Sequence, residues 1–165
     1  MMMHFKKPLI LFCILCLTVV SAFVIFNQTS APNIIFTTIT GQKMSMASLQ
    51  NKAVLVSFWA TDCTSCNKEM PDLLNIYKDY KSKGFEIIAV AMPYDPPAQL
   101  QNYVTQKRLP FPVVHDGYGD VTEAFGGIEV TPTAFLFGKQ GKRLNHTIGI
   151  LDFKKLRSTL DKELS

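Results

Sequence analysis

The chain has 165 residues, 47% of them hydrophobic and 18% charged: enough apolar material for one core, and too few charges for a disordered chain. Nine Gly and nine Pro without a repeat exclude a collagen-like or low-complexity chain, and four Cys over this length exclude a multi-disulfide miniprotein. The net charge of +4 falls to about +2 once Lys6 and Lys7 are set aside, and no basic stripe remains, so nucleic acid is not an expected partner.

Residues 1–7 read as a short cytoplasmic stub carrying His4, Lys6 and Lys7. Pro8 to Phe26 then runs 19 residues without a charge. As a helix it would be roughly 28 Å long, about one hydrocarbon thickness. No Lys or Arg follows until Lys43, so the positive-inside bias keeps the N-terminus in the cytoplasm and exports the rest. Val20-Ser21-Ala22 would serve as the cleavage site of a removable signal peptide, but Phe23 to Phe26 prolongs the apolar run and favours an uncleaved anchor. Residues 27–33 form a polar, turn-rich linker, and 34–165 the exported domain.

Within that domain, Ile34 to Thr40 reads as a strand closed by Gly41, and Val54 to Trp59 as a strand buried on both faces. Apolar residues from Met70 to Tyr80 keep helical spacing, predicting a helix from Cys63 to about Lys83, kinked at Pro71 and ended by Gly84. Phe85 to Ala91 is a second buried strand. Pro96-Pro97 opens a helix that stops before Pro110. A short strand at Pro112 to His115 and a short helix at Val121 to Phe125 follow. Thr133 to Phe137 and Arg143 to Ile148 form a hairpin around Gly138 to Gly141. Leu151 to Leu164 closes as a helix with Asp152 near its N-cap. This order predicts an α/β fold, a mixed sheet with helices on both faces.

The chemistry concentrates at Cys63-Thr64-Ser65-Cys66, where a buried strand meets a helix. Residues three apart share a helix face with Cβ atoms roughly 5–6 Å apart, whereas a disulfide needs about 3.5–4.5 Å. A small adjustment of the first turn therefore opens or closes the ring, and such a pair can switch. Its loop is too short to constrain much unfolded-chain entropy, so stapling explains it poorly. The helix N-terminus favours a thiolate at Cys63. Cys66, one turn inside, should be more buried and act as the resolving thiol. Asp62 places a carboxylate beside Cys63 and should moderate the fall in its pKa.

Competing readings are half of a zinc or copper site and inert buried thiols. A closed zinc site needs four ligands, and the only other exported candidates, His115 and His146, are unclustered in the chain. A Cu(I)-binding metallochaperone using the same two cysteines is the alternative function, because thiolates suit Cu(I). Cys13-Ile14-Leu15-Cys16 has the same spacing inside the apolar run, where it reads as small apolar helix residues. Asp116 to Asp120 reads as a turn, Phe135 and Phe137 as core, and His115 as an edge residue. Trp59 either packs under the dithiol or shapes its approach.

From Ile34 to Leu164 the chain resembles a known family. The likeness rests on Gly41 with Ser48-Leu49, on Val54 to Ala60, and on the run Trp59-Ala60-Thr61-Asp62-Cys63-Thr64-Ser65-Cys66-Asn67-Lys68-Glu69-Met70-Pro71. It continues through Phe111-Pro112-Val113 with Asp116, and through Val130-Thr131-Pro132-Thr133-Ala134-Phe135-Leu136. These segments are similar to thioredoxin-like proteins, and within them to the membrane-anchored extracytoplasmic thiol-disulfide oxidoreductases of the TlpA/ResA type.

The resemblance implies a thioredoxin-like fold and dithiol–disulfide exchange without a cofactor, Cys63 attacking and Cys66 resolving. It also implies a catalytic domain on the outer, periplasmic side of a bacterial inner membrane. Clients would be exported proteins with disulfides or thiols, as in cytochrome c maturation, and a membrane protein would donate electrons. Glu69 matches a glutamate implicated in proton handling; its plain alternative is a surface acid near a helix start. Pro132 matches a proline with a cis preceding bond, which puts Thr131 against the dithiol where a substrate segment could pair with its backbone. The sequence departs from the family at Asp62, where an aromatic residue is usual, and at Ser65, where proline is common. Ser57 stands where cytosolic thioredoxins carry a buried aspartate.

Overall fold

The computed structural model describes residues 10–19 and 30–165. The stub, both ends of the apolar run and most of the linker lie outside the described residues. Residues 10–19 are helical (α1) with exposed side chains, a length of about 15 Å. Among the described residues no helix is long and apolar enough to cross a membrane.

Residues 31–165 form a unit of their own. Its elements are β1 (Ile35–Thr37), β2 (Lys43–Ser45), β3 (Ala53–Trp59), α2 (Thr64–Tyr80), β4 (Phe85–Ala91), α3 (Pro97–Lys107), β5 (Val113–His115), α4 (Asp120–Ala124), β6 (Thr133–Phe137), β7 (Arg143–Ile148) and α5 (Phe153–Leu164). Five strands make one mixed sheet in the order β5-β4-β3-β6-β7. β3 pairs parallel with β4 and antiparallel with β6, which puts it at the centre. The expected fold is present.

Two details differ from expectation. The first segment is a hairpin, because β1 turns back into β2 with Ile35 opposite Ser45. It lies along the β5 edge, where Thr38 bridges Val114 and the Ile39 N–H donates to the Val113 carbonyl. Lys43-Met44-Ser45 is too short to show a period of two, so β2 left no pattern to read. The second difference is at the end of α2, which runs on through Pro71 but gives way after Tyr80, short of Lys83. A single 3-10 turn follows, and Gly84, at φ 97°, supplies the left-handed turn into β4.

Alternation along β3 sorts the core into two layers. Leu55 and Trp59 face a cluster with Met70, Leu73 and Ile76 of α2, Leu100 of α3, and Leu156 and Leu160 of α5. Val54, Val56 and Phe58 face the other way, onto Phe36, Leu49, Val121 and Phe125. Helices thus flank both faces unequally: three long ones on one, and on the other the short α4 with the β1–β2 hairpin. The last residue of β3 delivers the chain into α2 through Ala60-Thr61-Asp62, so the dithiol stands at the carboxyl end of the central strand, where open α/β sheets place their sites.

Candidate active site

Cys63 is the N-cap of α2, with φ −75° and ψ 106°, outside the helix it begins. Its sulfur takes the acceptor place that Ser or Asp commonly fills, receiving the Cys66 backbone N–H at 3.2 Å. Cys63 and Cys66 are joined as a disulfide with Cα atoms 5.3 Å apart. Cys63 is half-buried, whereas Cys66 is 2% exposed. The first cysteine is thus the one open to the outside, and the second lies beneath it. The Ser65 hydroxyl lies 3.4 Å from the Cys63 sulfur. The residue at the family's proline position thus brings a polar hydrogen to the reacting atom.

Behind Cys66 is a cavity of about 10 Å³ lined by Ser57, Trp59, Cys66, Glu69 and Pro132 among others, about the room one water needs. Glu69 is 3% exposed, so the reading of it as a surface acid is corrected. The helix turn after Cys66 faces the core here, not solvent, and Glu69 goes in with it. Its Oε1 accepts the Leu151 backbone N–H at 2.7 Å, tying α2 to the segment before α5. Burial is the main influence on its carboxyl and raises the pKa; the Leu151 hydrogen bond opposes this, and the nearby Asp72 charge adds to it. A buried carboxyl with a raised pKa that shares a cavity with Cys66 can hold or release a proton there.

The Thr131–Pro132 bond is cis. Pro132 is buried and lines the same cavity as Cys66, and its carbonyl accepts the Gly149 N–H at 2.8 Å. Thr131 beside it is half-buried. Trp59 is 2% exposed, packs against Tyr103 with ring centroids 5.1 Å apart, and lines the same small cavity as Cys66. Its indole N–H has no protein partner. Asp62 is exposed.

His115 and His146 do not gather at the dithiol. They belong to β5 and β7, opposite edges of the sheet. The Nε2 of His115 meets the Asp95 carbonyl, while His146 stacks on Phe135 at 4.2 Å. Among the described residues no group of three or more His, Cys, Asp and Glu could hold a metal ion. Sequence reasoning passed over Asp95, Gln99 and Leu151, because each meets the site from another part of the chain and no local motif marks it.

The sequence profile of the AhpC/TSA family matches residues 28–143. The thiol-disulfide oxidoreductase ResA of Bacillus thuringiensis subsp. konkukian is 36% identical over 132 residues, 80% of this chain and 75% of that protein. ResA of Bacillus subtilis is 32% identical over 148 residues, 87% of this chain and 82% of that protein. Among solved structures, a putative thioredoxin from Neisseria meningitidis superposes with TM-score 0.76 at 38% identity, covering 82% of this chain and 89% of that one. A thiol:disulfide interchange protein from Chlorobium tepidum gives TM-score 0.75 at 28% identity, covering 83% and 97%. A dithiol at a strand-to-helix junction, a buried glutamate and a cis-proline thus stand in a chain that belongs to the AhpC/TSA family, among its thioredoxin-like thiol-disulfide oxidoreductases of the ResA type.

Proposed function

We propose that this oxidoreductase is a membrane-tethered reductase of disulfides in exported proteins. The observation that carries the exchange chemistry is the asymmetry of the pair: one sulfur reachable at a helix N-terminus, the other buried beneath it. In the reduced protein the Cys63 thiolate attacks a substrate disulfide, forming a mixed disulfide and expelling one substrate thiolate. Cys66 gives up its proton, with Glu69 as the nearby carboxylate able to take it, and attacks the Cys63 sulfur. The second substrate thiolate leaves, and the protein ends as the Cys63–Cys66 disulfide. Two electrons have passed to the substrate.

Protein clients fit the shape of the site. The two larger grooves, about 390 and 500 Å³, are lined by neither cysteine. A client that brings its own disulfide to a sulfur at the surface fits this arrangement. The uncharged run from Pro8 to Phe26 with lysines before it supports an anchor and an extracytoplasmic domain. Because that side is oxidising, a membrane electron donor must restore the dithiol. Apo-cytochrome c, whose thiols must be reduced before haem attachment, is a fitting client.

Substituting Cys66→Ser in cells tests this reading. The enzyme should accumulate mixed disulfides through Cys63 with exported proteins, identifiable by mass spectrometry after non-reducing separation. Adducts confined to cytoplasmic proteins, or none at all, would overturn it. Tightly held copper on the purified reduced protein that blocks exchange would favour the metallochaperone instead.

A further inference from the structure

Asp95 follows β4 and is 2% exposed. Both of its carboxylate oxygens are spent on one residue of the active-site turn. The Thr61 backbone N–H donates to Oδ2 at 2.9 Å, and the Thr61 hydroxyl donates to Oδ1 at 2.5 Å. Gln99, in the first turn of α3, donates from Nε2 to the same hydroxyl oxygen, and Asn67 of α2 donates from Nδ2 to the Thr61 carbonyl at 2.9 Å. Every polar atom of Thr61 is therefore bonded, from three different segments. The carbonyl of Asp95 is in turn held by His115 Nε2 of β5 at 2.9 Å.

The turn so gripped is the one that carries the attacking sulfur. The Cys63 N–H donates to the Ala60 carbonyl at 3.2 Å, so Thr61 sits inside the turn that this bond closes. A rotation at Thr61 would carry Cys63 away from the Cys66 N–H, the donor that its sulfur faces. A buried carboxylate is costly unless fully hydrogen-bonded, and here its bonds are concentrated on a single residue two positions before Cys63. Support for the fold alone would not need that concentration.

We propose that Asp95, Gln99 and Asn67 are positioning residues for the exchange reaction, acting through Thr61 to hold the Cys63 sulfur at the N-cap of α2. None of them touches the sulfur. They limit how far the turn relaxes when the disulfide opens, and so keep the new thiolate in reach of the helix N–H groups that stabilise it.

The decisive substitution is Thr61→Val, which removes the hydroxyl at nearly constant volume and replaces none of the nearby acidic side chains, Asp62, Glu69 and Asp95. The readout is the pH dependence of iodoacetamide alkylation at Cys63, followed by peptide mass in the reduced full-length protein. The midpoint should rise by about half a pH unit or more, roughly threefold less thiolate below the midpoint. Thr61→Ser, which restores the hydroxyl, should return the midpoint to that of the parent. An unshifted or lowered midpoint in Thr61→Val would overturn the proposal, as would an equal shift in Thr61→Ser. Should Thr61→Val fail to fold by circular dichroism, Gln99→Ala on the exposed side of α3 carries the test, with a smaller rise expected and an unmoved midpoint overturning the proposal.

Discussion

Two pairs of cysteines in this chain have the same spacing and opposite fates. Cys13 and Cys16 lie within α1, exposed and free, whereas Cys63 and Cys66 are joined. Two helical residues three apart hold their Cβ atoms too far apart for a disulfide. Cys63 escapes that limit because it is the N-cap, with extended backbone, and only Cys66 is in the helix. The Cys66 N–H at the helix start has no intrahelical carbonyl to bond, so it meets the Cys63 sulfur. Spacing alone therefore does not make a redox pair. A helix start between the two sulfurs does, with a buried pocket behind the second.

The sharpest way to break this comparison is to exchange the roles of the pairs. Cys63→Ser or Cys66→Ser should abolish catalytic turnover of a protein disulfide such as that of insulin, while Cys13→Ser with Cys16→Ser should leave the rate at that of the parent. A loss of rate in the second variant would mean that the α1 pair takes part after all.

The pocket behind Cys66 is the next point of difference. Glu69→Ala leaves the buried Leu151 N–H without its acceptor and should cost about 1–3 kcal/mol in a urea titration. Glu69→Gln keeps an acceptor oxygen and should cost less. The pH dependence follows from the raised pKa of this carboxyl. Below the ordinary glutamate value of 4.5 both folded and unfolded states hold the proton, and the contribution to stability is fully present. As pH rises the unfolded chain releases its proton first, so this contribution is lost by the time pH passes the folded value. Parent stability should therefore fall across that window, and Glu69→Gln should flatten the fall. An identical slope in the two proteins would sink the assignment.

The smallest expected effect is at Ser65. Removing its hydroxyl in Ser65→Ala takes one polar hydrogen from beside the Cys63 sulfur. The Cys63 alkylation midpoint should rise by a few tenths of a pH unit, in line with one weak hydrogen bond of about 0.5 kcal/mol.

Most of the elements were legible in the sequence because each is a local pattern. The buried strand at Phe85 to Ala91 coincides with β4, and Arg143 to Ile148 with β7. Asp152 caps α5 by accepting the Lys155 N–H, as its place before an amphipathic helix suggested. The strand β2 left no trace because three residues carry no period. At the site, the greater burial of Cys66 and the place of Cys63 at the helix start were readable from one turn of depth. The burial of Glu69 was not, since a helix turn has no inside until something packs on it. The grip on Thr61 was equally hidden, because its partner Asp95 lies 34 residues away and Leu151 lies 82 from Glu69.

By itself the sequence determined the order of strands and helices apart from β2, the place of the dithiol between a strand and a helix, and the apolar run that precedes the domain. These follow from side-chain periodicity and turn chemistry within a few residues. Only the tertiary structure decided which helices share a face with the dithiol, and that Glu69 lies inside. It also set Asp95 and Gln99 around Thr61, and Pro132 around the same small cavity as Cys66. Those outcomes depend on how the sheet brings remote segments together, and burial and hydrogen bonding between them have no meaning before it does.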